Sequence, residues 1–380
     1  MRLLLLAIVS TVTLAQTFES FLDKAIAQNP YLGASSLQIQ QAHHDGNIVQ
    51  RYGNPTVEVE ASKFQNQNGY RVAFNQPIRL WGVGMDKAHV AESLSNRAQA
   101  SIKMQKAQFI KELSLLYIDY AQKQKLLELA NIERSIASNI TNISQERYNQ
   151  GSLSKALLMQ ANVAYAHTEA MVMEQESESA ASYLALIEFS GIPEELVVDS
   201  AHPFDLPKDD KENPDILAKE SQNSLELAQI QTQSYAVESL GLFGEYEKEP
   251  QQNIYRMGIS LPLPLFNTKQ EEKSLKMLLA QQNSMVVKGD KNRLRIRKKS
   301  LANTIQTLRQ LILKREENFK NEERLLDTYR DAFAISNINL LELFEIKNRM
   351  IQTHKEIITL ESERNRSIVE YTYLSGNYNE

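Results

Sequence analysis

Residues 69–81 read Gly69-Tyr70-Arg71-Val72-Ala73-Phe74-Asn75-Gln76-Pro77-Ile78-Arg79-Leu80-Trp81, and residues 254–266 read Ile254-Tyr255-Arg256-Met257-Gly258-Ile259-Ser260-Leu261-Pro262-Leu263-Pro264-Leu265-Phe266. Aligned, they place Tyr-Arg over Tyr-Arg, Pro77 over Pro262, Leu80 over Leu265 and Trp81 over Phe266, each pair 185 residues apart. The same offset joins Tyr148 to Phe333, Gly151 to Ser336, Ser154 to Asn339, and Ser190-Gly191 to Ser375-Gly376. Asn29-Pro30 and Asn213-Pro214 fit at an offset of 184. One offset held across the chain reads as a tandem duplication, which bears on architecture before any local propensity does. The expected division is a first repeat over 16–191, a linker or small intermediate element over 192–212, and a second repeat over 213–380.

Each repeat has the same order: a helix, two short strands, one very long helix, a turn and another long helix. Strands are expected over about 54–64 and 70–78, and again over 241–248 and 254–263. In the first hairpin Val57, Val59 and Ala61 alternate with Glu58, Glu60 and Ser62, while Val72 and Phe74 alternate with Arg71, Ala73 and Asn75. In the second, Leu242, Gly244 and Tyr246 alternate with Phe243, Glu245 and Glu247, while Met257, Ile259 and Leu261 alternate with Arg256, Gly258 and Ser260. A period of two gives each strand one apolar and one polar face. Asn66-Gln67-Asn68-Gly69 and Pro250-Gln251-Gln252-Asn253 read as the hairpin loops. Four strands cannot close a barrel alone. Several copies pooling hairpins could, with the apolar face on lipid, and strands of about 8–11 residues are long enough to cross a bilayer at a tilt.

Between residues 85 and 149 there is neither proline nor glycine, which predicts a helix about 100 Å long at 1.5 Å per residue. Such a helix does not fit inside a compact globule. Leu113, Leu116, Tyr120, Lys123, Leu127 and Ala130 step by three and four, as do Leu343, Ile346, Met350, Thr353, Ile357 and Leu360, forming seams for helix packing. Composition agrees: 13 Gly and 10 Pro in 380 residues leave few helix breakers. The absence of cysteine excludes disulfides, thiolate metal sites and a cysteine nucleophile. A net charge of −5 offers no basic face for nucleic acid. Arg2, the apolar run from Leu3 to Val9 and Thr13-Leu14-Ala15 read as an export signal over 1–15, cleaved after Ala15. No catalytic constellation or phosphate-binding loop occurs, so the chain is not read as an enzyme and no cofactor is expected.

With these features in order, the chain resembles the TolC family of outer-membrane efflux proteins over nearly its whole length. The resemblance rests on the duplication, on the strand-to-helix corners (Gln76-Pro77-Ile78-Arg79-Leu80-Trp81-Gly82 and Leu261-Pro262-Leu263-Pro264-Leu265-Phe266-Asn267), and on the helix tip Tyr148-Asn149-Gln150-Gly151-Ser152-Leu153-Ser154. It implies a mainly α fold with a small β part: a homotrimer whose twelve strands share one transmembrane β-barrel in outer-membrane lipid, above a periplasmic α-helical barrel, with 192–212 as an equatorial element. It further implies partnership with a periplasmic adaptor and an inner-membrane efflux pump, for drugs, metal ions or other small molecules. The competing reading is a periplasmic coiled-coil adaptor or scaffold, which should carry a β-rich domain between its helical arms.

Site residues follow from both lines. Val57, Val72, Phe74, Leu242, Met257 and Ile259 are expected to face lipid, with Trp81 and Phe266 at the membrane boundary or packed in the strand-to-helix corner. Gly151, Leu153 and Ser154 at the first tip, and Ser336, Ile338 and Asn339 at the second, are expected to be exposed and to dock the adaptor. Glu342 and Glu345, three residues apart on one helix face, match the family's acidic ring at the periplasmic entrance, where three copies would favour cations; alternatively they are a solvated helix start. The sequence has Phe333 and Ile338 where some members carry a tyrosine and an arginine that lock the closed gate, so that polar lock is not expected. His43-His44 lacks a clear third ligand and is read as surface, with no metal.

Overall fold

The computed structural model describes residues 17–64, 67–192, 198–335 and 338–378. The expected export signal over 1–15 and Ser336 lie outside the described residues. The element order is α1 (Phe18–Gln28), α2 (Pro30–Gln50), β1 (Thr56–Phe64), β2 (Gln67–Arg79), α3 (Trp81–Asn149), α4 (Lys155–Ser190), α5 (Pro214–Gln233), β3 (Ser239–Lys248), β4 (Asn253–Ser260), α6 (Gln270–Ala334) and α7 (Leu340–Leu374). Among the described residues no helix is long and apolar enough to cross a membrane.

The Asn-Pro pairs punctuate helices by one device. Asn29 Oδ1 accepts from the amides of Tyr31 and Leu32 at 2.9 and 3.1 Å. Asn213 Oδ1 accepts from those of Asp215 and Ile216 at 3.1 and 3.2 Å. In each case proline follows at the first helical position, where its missing N–H leaves no bond unmade. The Ser-Gly pairs end helices: Gly191 and Gly376 hold φ of 72° and 73°, a left-handed turn that glycine adopts without steric cost.

The chain folds as two compact units, each assembled from separate stretches. One comprises 34–105 and 212–293 and contains the sheet, with a small core of Val90, Leu225 and Ala228 backed by Val49 and Leu94. The sheet is antiparallel throughout, in the order β1-β2-β3-β4. β2 begins at Gln67, so Gln67, Asn68 and Gly69 belong to the strand rather than to the expected loop. Pro77 is tolerated in β2 because β1 has already ended opposite Asn75, leaving only β3 alongside. β4 stops at Ser260, three residues short of expectation: Pro262 and Pro264 have no N–H to give a ladder. α3 starts at Trp81, four residues earlier than expected.

The other unit comprises 106–211 and 294–378 together with the N-terminal helix. One cluster joins Phe18, Phe21, Leu113, Tyr117, Ile118, Leu186 and Val369. Here residues 198–211, the described part of the expected linker, are fastened to the helices. The Tyr117 hydroxyl donates to Asp199 O at 2.6 Å and accepts from the His202 amide at 3.0 Å, and the Lys211 amide donates to Ser375 O at 2.7 Å. A second cluster, at the helix tips, joins Ile140, Leu153, Leu158, Leu326, Phe333, Leu340, Leu343, Ile346 and Met350. Of the two expected seams, the α7 one is buried from Leu343 through Ile357, including Thr353. In the α3 seam Leu113, Tyr120 and Ala130 are buried, and Lys123 reaches Glu178 at 2.7 Å. Beneath the tips Lys347 Nζ lies 2.6 Å from Glu133 Oε1, the two side chains only 6% and 11% exposed.

Candidate functional site

Cross-strand partners share a face of a sheet. The register pairs Val57 with Phe74, Val59 with Val72, Val72 with Tyr246, Gln76 with Leu242, Gly244 with Met257, and Leu242 with Ile259. Val57, Val72, Phe74, Leu242, Met257 and Ile259 therefore lie on one face, and all six are exposed. At its hairpin end this face carries three tyrosines that sequence reasoning assigned no role: Tyr246 has its ring centroid 5.8 Å from that of Tyr70 and 5.1 Å from that of Tyr255. The signal was present, since Tyr70 and Tyr255 mark the repeat; Tyr246 faces Tyr255 within the β3–β4 hairpin, and meets Tyr70 only through the β2–β3 pairing. At the opposite ends of the strands, Trp81 is 90% exposed as the first residue of α3, and Phe266, in the loop after β4, is fully exposed. Neither forms a packed corner.

The other face is charged, and its charges alternate. Arg71 Nη1 is 2.8 Å from Glu60 Oε2, and Arg71 Nη2 is 3.0 Å from Glu245 Oε2. Arg256 Nη1 pairs with Glu245 and lies 2.7 Å from Glu247 Oε2. The result is a ladder of opposite charges from β1 to β4, with each arginine held between carboxylates. A polar face of this kind suits water on one side of a sheet whose other side is apolar.

At the first tip, α3 ends in a reversal that glycine permits. Gly151 has φ 74°, its amide donates to Tyr148 O at 2.9 Å, and the Ser152 amide donates to Arg147 O at 2.9 Å, the paired bonds of a left-handed helix stop. Ser154 caps α4 by accepting from the Leu157 amide at 3.3 Å. Leu153, expected to be exposed, is 8% exposed; the reversal folds it inward into the tip core, the cluster that also holds Phe333 and Leu340. At the second tip Asn339 caps α7, accepting from the Leu341 amide at 3.3 Å, and Ile338 is half-buried against the same core. The exposed apolar side chains here are Ile335 (69%) and Leu341 (50%), which periodicity alone did not single out.

Glu342 and Glu345 are exposed on the first turns of α7 and form no ion pair among the described residues. His43 and His44 are exposed, their rings edge to face at 6.1 Å. Among the described residues no group of three His, Asp or Glu side chains is placed to hold a metal.

The sequence matches no family model, and no curated protein matches it. Solved structures do resemble it. Similarity to CusC, whose crystal structures concern folding and transmembrane channel formation, has a TM-score of 0.76 at 15% identity, over 94% of this chain and 91% of that one. The Campylobacter jejuni CmeC outer membrane channel gives 0.74 at 15% identity, over 94% and 85%. The outer membrane protein VceC of Vibrio cholerae gives 0.75 at 14% identity, over 94% and 95%. At such identities the likeness is one of fold: this chain has the fold of the TolC-family outer-membrane channels.

Proposed function

We propose that the protein is the outer-membrane duct of a tripartite efflux system, carrying small molecules outward from an inner-membrane pump and a periplasmic adaptor. The observation that carries this reading is the two-faced sheet. One face is apolar and exposed, the other is a charged ladder, and both edges, β1 and β4, are unpaired among the described residues. Such edges call for another chain. β4 of one copy pairing with β1 of the next, in a homotrimer, closes twelve strands around a polar lumen. From Tyr70 to Trp81 is eleven steps, which at about 3.3 Å each and a tilt of about 45° span roughly 25 Å, the height of an outer-membrane apolar band. Tyrosines at one end of that span and Trp81 and Phe266 at the other supply its two aromatic girdles.

The two repeats, 16–191 and 213–380, each contribute one hairpin to the barrel and one helical hairpin to a periplasmic tube, with 192–212 as its equatorial strap. Gly151, Ser154, Ser336, Ile338 and Asn339 form the tips that meet the adaptor, now with Ile335 and Leu341 as apolar contacts in place of Leu153. Glu342 and Glu345 line the periplasmic entrance as a cation-favouring ring.

The test is fractionation and trimer yield for Val72→Arg and Ile259→Arg. Each change puts a cation on the lipid face, at about 2–4 kcal/mol near the bilayer midplane. Wild type should appear in the outer membrane as a heat-sensitive oligomer and both variants should assemble poorly. Normal yields for both, or recovery of the wild type as a soluble periplasmic protein, would refute the reading.

A further inference from the structure

The first tip holds a buried charge with no counter-ion among the described residues. Arg147, in the last turn of α3, is 7% exposed and forms no ion pair among the described residues. Its Nη1 donates to Phe333 O at 2.9 Å, its Nη2 reaches Ser152 O at 3.4 Å, and its guanidinium carbon stands 4.5 Å from the centroid of the Phe333 ring. Phe333 is fully buried. Its carbonyl belongs to the last turn of α6, which ends at Ala334, so it is one of the groups a helix leaves without an internal partner. One guanidinium thus joins the carbonyl end of α6 to the turn that follows α3, segments from the two halves of the chain, and lies over the Phe333 ring. The arrangement is one-sided: by the 185-residue offset the counterpart of Arg147 is Ala332.

A buried cation satisfied by carbonyls and a π face is stable only while the α6 end and the turn after α3 stay in place. If α6 withdraws from α3, Nη1 loses its acceptor, and the Nε, already without a partner among the described residues, gives nothing in exchange. We propose that Arg147 is the clasp that holds the two tips together, and that in the resting channel it sets the width of the periplasmic entrance. Arg147 is a positioning residue here, acting through the α6 terminus and away from the permeating molecule. The inference rests on the channel reading given above.

The experiment compares wild type, Arg147→Met and Arg147→Lys, purified as full-length oligomers. Methionine keeps the apolar stem and removes the donors. Lysine keeps the charge but cannot fork between two carbonyls while stacking flat on a ring. Two quantities are read: resting single-channel conductance in planar bilayers, and amide exchange at 148–152 and 331–335 against the middle of α3 and α6. Arg147→Met should exchange several-fold faster at both tips, with the mid-helix unchanged, and should raise the resting conductance several-fold. Arg147→Lys should fall between it and wild type, and it decides the matter if the methionine variant does not assemble. Faster tip exchange with wild-type conductance would overturn the gating role, and unchanged tip exchange would overturn the clasp. If no form conducts, wild type included, the channel reading fails, while exchange still reports on the clasp.

Discussion

The two helix tips sit in one core yet are built differently. The first closes with a left-handed glycine, a Ser154 cap, Leu153 turned inward and Arg147 reaching across to the second. The second relies on the Asn339 cap and leaves Ile335 and Leu341 outside. By the 185-residue offset, Gly151 aligns with Ser336 and Arg147 with Ala332. The first tip is thus the anchored one, and the second the one with apolar surface to offer a partner.

The contrast breaks most easily at Leu153. If the first tip is held by its own core, Leu153→Ala should cost about 2–5 kcal/mol through the cavity it leaves, read as a lowered melting temperature or faster tip exchange. A fully exposed leucine would give almost no change, and the anchoring of the first tip would then lie elsewhere.

The turn comes next. Gly151→Ala forces a side chain into left-handed backbone, at about 1–2 kcal/mol, with fraying confined to the ends of α3 and α4. No atom stands within 4 Å of a Cβ built there, so this cost is conformational and not steric. The two caps should come out nearly equal, since Ser154→Ala and Asn339→Ala each remove one acceptor from a helix start, about 1 kcal/mol apiece. A much larger loss at Asn339 would mean that the second tip leans on its cap in the absence of a clasp, which would sharpen the contrast further.

The smallest effect on stability is expected at Leu341. Leu341→Glu, half exposed as the residue is, should stay within about 0.5 kcal/mol of wild type. Export should nevertheless fall, because the change removes apolar surface that the proposed adaptor contact uses. Full export from a stably assembled Leu341→Glu protein would move the docking surface off the second tip.

What could be read from the sequence was what short-range chemistry dictates. Asn before Pro starts a helix, Gly after Ser ends one, and alternation sorts Val72 and Phe74 from Arg71 and Ala73 before any partner strand is known. The end of β4 is legible too, since Pro262 and Pro264 lack the N–H a ladder needs even where the apolar period runs on. The inward turn of Leu153 was not. A leucine beside a glycine turn is equally compatible with solvent, and the core it joins includes Phe333, 180 residues away. The burial of Arg147 is hidden for the same reason, because a cation at a helix end is ordinary surface until another helix terminates over it. Tyr70 likewise joins Tyr246 and Tyr255 only because β2 lies against β3, which no local pattern states.

The buried pair of Lys347 and Glu133 has a consequence for how the long helices find their alignment. Seams of apolar residues repeating every seven positions look nearly the same after a slip of two turns, so hydrophobic contact alone is a coarse ruler. Sliding α7 by seven residues would bring Leu340 or His354 opposite Glu133 and strand two charges between the helices, each deprived of its partner 2.6 Å away. Breaking such a pair costs about 3–5 kcal/mol, enough to make one alignment dominate by more than a hundredfold. The ion pair thus works as a vernier mark, resolving which of several equally greasy registers the packed helices adopt.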